Sequence, residues 1–242
     1  MFRFRELAND DCILDGSPLV RALDYLTQKF VDHPNGIPLT KGSAFKRDLV
    51  ADAISIINWP DWTEAEIYNG FMPIKVADEQ HFEPFWELHH LLVHNRLARH
   101  YKGKLVLTKQ GTALFKDRFK RFHQVTQDIL FHDQRLIDLH HRRGLVGTWD
   151  IWLNVIDLVA VHGASGRELT DALYGQEEQP HEFDPRTSAL YDGVLKPLMR
   201  CGLLEESRAN GRKLIERVYS RTPLWTRYLK LDPKEVIPRV IH

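Results

Sequence analysis

The sequence predicts a mainly α protein with two short β-hairpins, set out as two similar domains joined by a helical linker. Three observations carry that prediction. Apolar residues recur at helical spacing through most of the 242 residues, with helix start and stop residues in place. Two stretches, 97–107 and 203–220, read as paired strands around a basic turn. The elements of residues 63–117 then recur in the same order in residues 165–231.

Residues 1–16 carry no regular pattern. Ser17 and Pro18 suit a helix start: a serine hydroxyl can accept a free first-turn N–H, and proline has none to leave unpaired. Leu19, Leu23, Leu26 and Phe30 then fall on one face, and the turn formers of residues 32–36 end the helix. A second helix over about 43–58 carries Leu49, Ala53, Ile56 and Ile57 and stops before Pro60. Thr63 and Glu66 have capping-box spacing, and Gly70 suits the exit of the short helix they open. Residues 77–98 read as one long helix with aromatic and leucine anchors. Strands over about 97–101 and 104–107 follow, joined by Lys102 and Gly103, and Thr108 suits the cap of the next helix.

Residues 112–143 form a charged helical segment broken by Gly144 and Gly147. The second half then repeats the plan. An apolar helix closes at Gly163, and Ser165 and Glu168 open a short helix at capping-box spacing. A third helix starts with Asp184 as cap and Pro185 at its first position, and Pro197 should kink it or cut it short. A hairpin with Asn210-Gly211 in its loop leads to Thr222-Pro223 and a last helix.

Three helices followed by a hairpin is the order of a winged helix-turn-helix. The stretches "LVHNRLARHY" and "LMRCGLLEES", with "LTKQGTALF" and "RTPLWTRYL" after the hairpins, resemble the winged-helix superfamily, particularly MarR-like regulator domains, over about residues 40–117 and 148–231. The segments "PLTKGSAFKRDLV" and "KLVLTKQGTALF" are also similar to a module of plasmid-borne bacterial proteins of unknown function, over about residues 38–117. The first resemblance implies a DNA-binding surface made of the third helix and the wing of each copy. The expected division is a helical extension (1–36), a first winged-helix domain (37–117), a charged helical linker (118–147) and a second winged-helix domain (148–242).

Charge is neutral overall but unevenly placed. Net charge is zero, which argues against a surface that is basic all over and leaves local patches open. Residues 99–121 hold eight cations, among them Arg99, Lys102, Lys104 and Lys109, against Asp117 alone. Residues 207–230 hold seven, among them Arg208, Arg212 and Lys213, against Glu216 alone. Cations on hairpins are what phosphate contacts need. Base reading asks for polar side chains at an exposed helix start. The first long helix offers Asp78, Glu79, Glu83 and Glu87 there, which repel phosphate. The second offers Arg186, Thr187 and Ser188, so base contacts are expected from the second copy.

The remaining constellations read as structural. Glu83, Glu87, His90 and His94 share a helix face, and Asp138 and His141 repeat a carboxylate-x-x-His spacing, yet no full ligand set can be assembled, so no metal is expected. The pentapeptide "QDILF" at 127–131 resembles a sliding-clamp peptide but sits in a helical pattern, with Leu130 and Phe131 as packing anchors. There is no GxSxG, Walker or GxGxxG motif, so no catalytic residue and no cofactor is expected. Two distant cysteines, no secretory leader and no long apolar run point to a reduced cytoplasmic setting without a membrane. The expected function is DNA binding by a bacterial regulator or a mobile-element protein, as monomer or homodimer on double-stranded DNA. The alternative is a protein-interaction module whose acidic helix docks a basic partner.

Overall fold

A computed structural model describes residues 2–60, 62–70, 73–131, 145–176, 184–209 and 213–231. It is mainly helical with small antiparallel sheets, and it divides into two compact units. One comprises Pro18–Val125, the other Met1–Ser17 with Thr126–His242.

The first unit opens with α1 (Pro18–Asp32), whose Leu19, Leu23 and Leu26 are fully buried. After β2 (Ile37–Pro38) comes α2 (Arg47–Ile57), which packs on α1. Its buried stripe is Val50, Ala53, Ile54 and Ile57; Ile56, expected in that stripe, is 57% exposed. A short α3 (Glu64–Asn69) carries the expected Thr63–Glu66 capping box. Then come α4 (Glu83–His94), the hairpin β3 (Ala98–Tyr101) and β4 (Lys104–Leu107), α5 (Lys109–Leu114) and α6 (Arg118–Phe131). The three strands form one sheet in the order β2-β4-β3.

The second unit follows the same plan. It runs α7 (Trp149–Val159), β5 (Ala164–Ser165), α8 (Gly166–Tyr174), then α9 (Pro185–Leu190), a π turn (Tyr191–Leu195) and α10 (Lys196–Arg200). The hairpin β6 (Leu204–Ser207) and β7 (Val218–Arg221) leads to α11 (Pro223–Tyr228) and β8 (Leu229–Leu231). The sheet order is β5-β7-β6. Here α7 packs on α8, as α1 packs on α2.

The repetition extends to single atoms. Ile37 pairs with Leu105 as Ala164 pairs with Tyr219. The residues before them, Gly36 and Gly163, both have positive φ (101° and 89°), and a Cβ on either would come within 2.7 or 2.9 Å of a valine methyl on the neighbouring strand. Each helix before a hairpin ends on a left-handed residue, Arg96 or Gly202, with Leu97 N–H bonding Leu92 O and Leu203 N–H bonding Leu198 O, both at 2.9 Å. Thr108 Oγ1 donates to Arg96 O at 2.7 Å, and Thr222 Oγ1 to Gly202 O at 2.7 Å.

Several expectations change. The compact units are drawn at 17/18 and 125/126, whereas the expected domains divide at 36/37, 117/118 and 147/148. α1 falls inside the first compact unit, where it packs on α2. The counterpart of α8 is α2, each following the short first strand of its sheet, and α3 stands between α2 and α4 without a partner among the described residues of the second unit. The start of α6 is packed and not a bare linker: Phe122 and Val125 are fully buried, and Arg118 and Arg121 both pair with Asp24 of α1. The long helix expected from 77 starts at Glu83, after a separate 3₁₀ turn, Glu79–His81, since Pro84 favours a first turn. Pro197 does not end its helix; the π turn before it accommodates the missing N–H. Residues 2–4 are a strand, β1 (Phe2–Phe4), paired with β8, and Phe4 stacks on Tyr228 at 4.7 Å.

Candidate nucleic-acid interface

The first hairpin turns through two residues, Lys102 (φ 49°) and Gly103 (φ 71°). Two positive φ angles in a row make the tight turn that suits strand twist. Lys102 therefore holds its ammonium at the tip in a conformation that lysine seldom adopts. Strand alternation then sorts the side chains. Arg99 lies opposite Val106 and Tyr101 opposite Lys104, so Arg99, Tyr101 and Lys104 share the outer face. Ala98, His100 and Leu105 share the inner one, where Ala98 and Leu105 are buried.

The outer face is basic and aromatic. Tyr101 is 49% exposed. The Arg99 guanidinium lies 5.1 Å and the Lys102 ammonium 5.3 Å from its ring centroid. Lys109 is exposed on the first turn of α5. Among the described residues, none of Arg99, Lys102, Lys104 and Lys109 has a carboxylate within ion-pair distance.

The second hairpin differs in chemistry although its strands pair in the same register. Glu205 stands where the first hairpin has Arg99, and Ser207 where it has Tyr101. Glu206 is nearly buried and accepts from Arg208 Nε at 2.7 Å and Arg217 Nη1 at 3.2 Å. Arg221 pairs with Asp157, and Arg227 with Asp11 at 2.9 Å. Four of the second cluster's seven cations thus face carboxylates: Arg208 and Arg217 share Glu206, just before the counted stretch, and Arg221 and Arg227 face residues far off in sequence. Lys213 is exposed, and Arg212 lies outside the described residues, as do Asn210 and Gly211. β6 ends at Ser207 and β7 starts only at Val218.

The expected base-reading trio is engaged in starting α9. Asp184 caps the helix by accepting from Arg186 N–H at 2.8 Å, and the Arg186 guanidinium returns to the same carboxylate at 2.9 Å. Burial pushes the Asp184 carboxyl up; the hydrogen bonds and charge of Arg186 more than offset this and leave it below the usual range. Thr187 is buried, its hydroxyl 2.9 Å from that of Thr170, and Ser188 Oγ points back to Asp184 O at 3.4 Å.

A chain of side chains reaching the first hairpin, buried at Glu79 and His89 and ending on exposed His100, escapes sequence reading. Glu79 is 1% exposed; it accepts the N–H of Phe45 at 2.5 Å and faces His89 Nδ1 at 2.6 Å. His89 Nε2 is 2.9 Å from His100 Nε2 on β3, and the His89 ring stacks on Phe45 at 4.4 Å. Burial, then the charges of His89 and His90, hold His100 below the ordinary histidine value. No sequence spacing marks this chain, because its members come from a 3₁₀ turn, a helix and a strand. Of the expected helix-face group, His90 and His94 are exposed, and no metal-binding cluster occurs among the described residues. Asp138 and His141 lie outside them. Leu130 of "QDILF" is fully buried in α6, as its packing role requires.

Residues 15–120 match the Y4jL N-terminal domain, and residues 139–223 match the y4jL C-terminal domain. The chain carries both domains of the y4jL family. It is 29% identical over 170 residues to the "Uncharacterized protein y4jL" of Sinorhizobium fredii (strain NBRC 101917 / NGR234), covering 68% of this chain and 73% of that protein. No solved structure matches. The basic outer face and the Glu79–His89–His100 chain both fall in the Y4jL N-terminal domain. Asp184, Glu206 and the cations around them fall in the y4jL C-terminal domain. Among the described residues no helix is long and apolar enough to cross a membrane.

Proposed function

We propose that this y4jL-family chain is a DNA-binding protein built from two winged helices, and that the wing of the first unit makes its principal phosphate contacts. The repeated helix order with a three-stranded sheet (β2-β4-β3 and β5-β7-β6) supports the architecture. The observation that carries the function is the set of exposed Arg99 and Tyr101, half-buried Lys104 and the turn residue Lys102, whose cations have no carboxylate partner among the described residues. Cations left unpaired on a hairpin can neutralise phosphates and release counterions. The α4 helix supplies less: its outward side includes Glu83 and Glu87, with His90 and His94 toward its end.

The reading therefore moves the main contact from the second copy to the first. Fluorescence anisotropy of a labelled random duplex at low salt tests it. Binding by the wild type, with clear weakening in an Arg99→Gln/Lys102→Gln variant, agrees with the proposal. Absence of binding at low salt would overturn it and leave the protein-interaction reading, in which Glu83 and Glu87 of α4 face a basic partner.

A further inference from the structure

We infer that Glu79, His89 and His100 form a proton-sensitive latch that holds the first wing against α4 at neutral pH and releases it in acid. As a regulatory device for DNA contact the latch rests on the preceding proposal. As a property of the wing it stands by itself.

The argument is a count of protons. Glu79 accepts the N–H of Phe45, and its other carboxyl oxygen lies 2.6 Å from His89 Nδ1, in position to accept a proton from that ring nitrogen. We take the Nδ1–H tautomer of His89, which gives the Glu79 oxygen a donor. The two Nε2 atoms, 2.9 Å apart, then share a single proton. With both rings neutral, His100 Nε2–H donates to His89. With one proton added to the pair, a single Nε2–H still lies between the two rings and one ring still donates to the other. Either state keeps the tie. A second proton makes both rings donors that face each other, and the bond is lost.

The position of the tie gives this chemistry its consequence. His100 sits on β3 between Arg99 and Tyr101, and its side chain is on the opposite face from theirs. Its bond to His89 is a side-chain link from α4 to the strand that carries the basic face. The groups surrounding it are few. Glu79 comes from the 3₁₀ turn and His89 and His90 from α4, all of which act on His100. The segment before α2 contributes the ring and N–H of Phe45, and β4 places Leu105 directly opposite. The only carboxylate among these groups is already engaged by His89, so it cannot also receive a charged His100.

The sign follows. Burial first, then the charges of His89 and His90, lower the His100 pKa, with Glu79 opposing. The folded state thus favours neutral His100. Because the tie survives the first proton, it contributes fully above the ordinary histidine pKa and is lost only as the pH falls far enough for the pair to take its second proton.

Hydrogen–deuterium exchange on the full chain tests the latch. Amides of residues 98–107 are followed between about pH 7.5 and about pH 5.5, on either side of the ordinary histidine value, with correction for intrinsic exchange. Wild-type opening should rise by up to about tenfold per pH unit once the second proton binds, while α1 amides stay protected. His100→Gln keeps a hydrogen-bonding partner that does not titrate, so its profile should be flat and protected. His100→Ala should be flat and weakly protected. A flat wild-type profile, or the same step in His100→Gln, would overturn the latch. Duplex binding measured on the same samples separates the two proposals. Affinity falling in acid for the wild type relative to His100→Gln supports the regulatory role, and equal pH dependence of the two overturns it. An exchange step with no duplex binding at any pH would overturn the DNA reading and leave the latch intact.

Discussion

Thr108 and Thr222 occupy matching places after the two hairpins, and removing their hydroxyls should have unequal costs. Thr108 Oγ1 donates to Arg96 O at 2.7 Å and accepts the N–H of Gly111 at 3.1 Å. It thereby ties the end of α4 to the start of α5 and caps α5. Thr222 Oγ1 donates to Gly202 O at 2.7 Å in the same way but makes no side-chain cap on α11. Valine keeps the shape of threonine and removes both functions. Loss of the donated bond costs about 1 kcal/mol at either site. Loss of a threonine cap costs about 1 kcal/mol more, at Thr108 alone. Thr108→Val should therefore destabilise by about 2 kcal/mol and Thr222→Val by about half that. Urea unfolding read by amide exchange in each unit separates the two contributions, because two units need not unfold in one step. A Thr222→Val cost equal to or above that of Thr108→Val would refute the reasoning, as would a neutral Thr108→Val.

Two further outcomes follow from the second unit. Asp184→Asn keeps a capping side chain but loses the charge that faces Arg186, so it should cost about 1 kcal/mol at neutral pH. The wild-type carboxyl is lowered overall, with burial opposed and outweighed by Arg186, so its contribution is present above the ordinary aspartate pKa and lost as pH falls through the lowered one; chemical unfolding in acid should show the two proteins converging. Burial pushes the Cys201 thiol up to about 12, whereas Cys12 is exposed. A thiol reagent should thus modify Cys12 alone in the folded protein and both cysteines in denaturant, and rapid native modification of Cys201 would contradict its packing.

Much of the local structure was legible in the residues. The capping boxes at Thr63–Glu66 and Ser165–Glu168, the Asp184 cap and the Thr108 cap lie where short-range chemistry places them, whereas Thr222 stands at its helix start without a side-chain cap. Short-range signals also misaligned the repeat. Thr63–Glu66 resembles Ser165–Glu168 as a cap, yet the matching elements are Gly36 with β2 and Gly163 with β5, which sequence alone marks weakly because each strand has two residues. The charge clusters were visible, but their partners were not. Asp24 lies 94 residues from Arg118, and Asp11 lies 216 residues from Arg227. Counting cations along the chain therefore favoured both hairpins equally, whereas pairing across the fold leaves the first with the freer charge. Thr187 was read as exposed because it opens a polar helix turn, but it faces Thr170 inside the unit.

The most direct test of the DNA-binding account is the salt dependence of duplex affinity, compared between the two wings. Each phosphate neutralised contributes about 0.9 to the slope of log K against log salt. Replacing Arg99, Lys102, Lys104 and Lys109 by glutamine should lower that slope by up to about 3.6, while replacing Arg208 and Lys213 should change it little. A wild type whose binding ignores salt, or a larger loss from the second wing than from the first, would contradict the account.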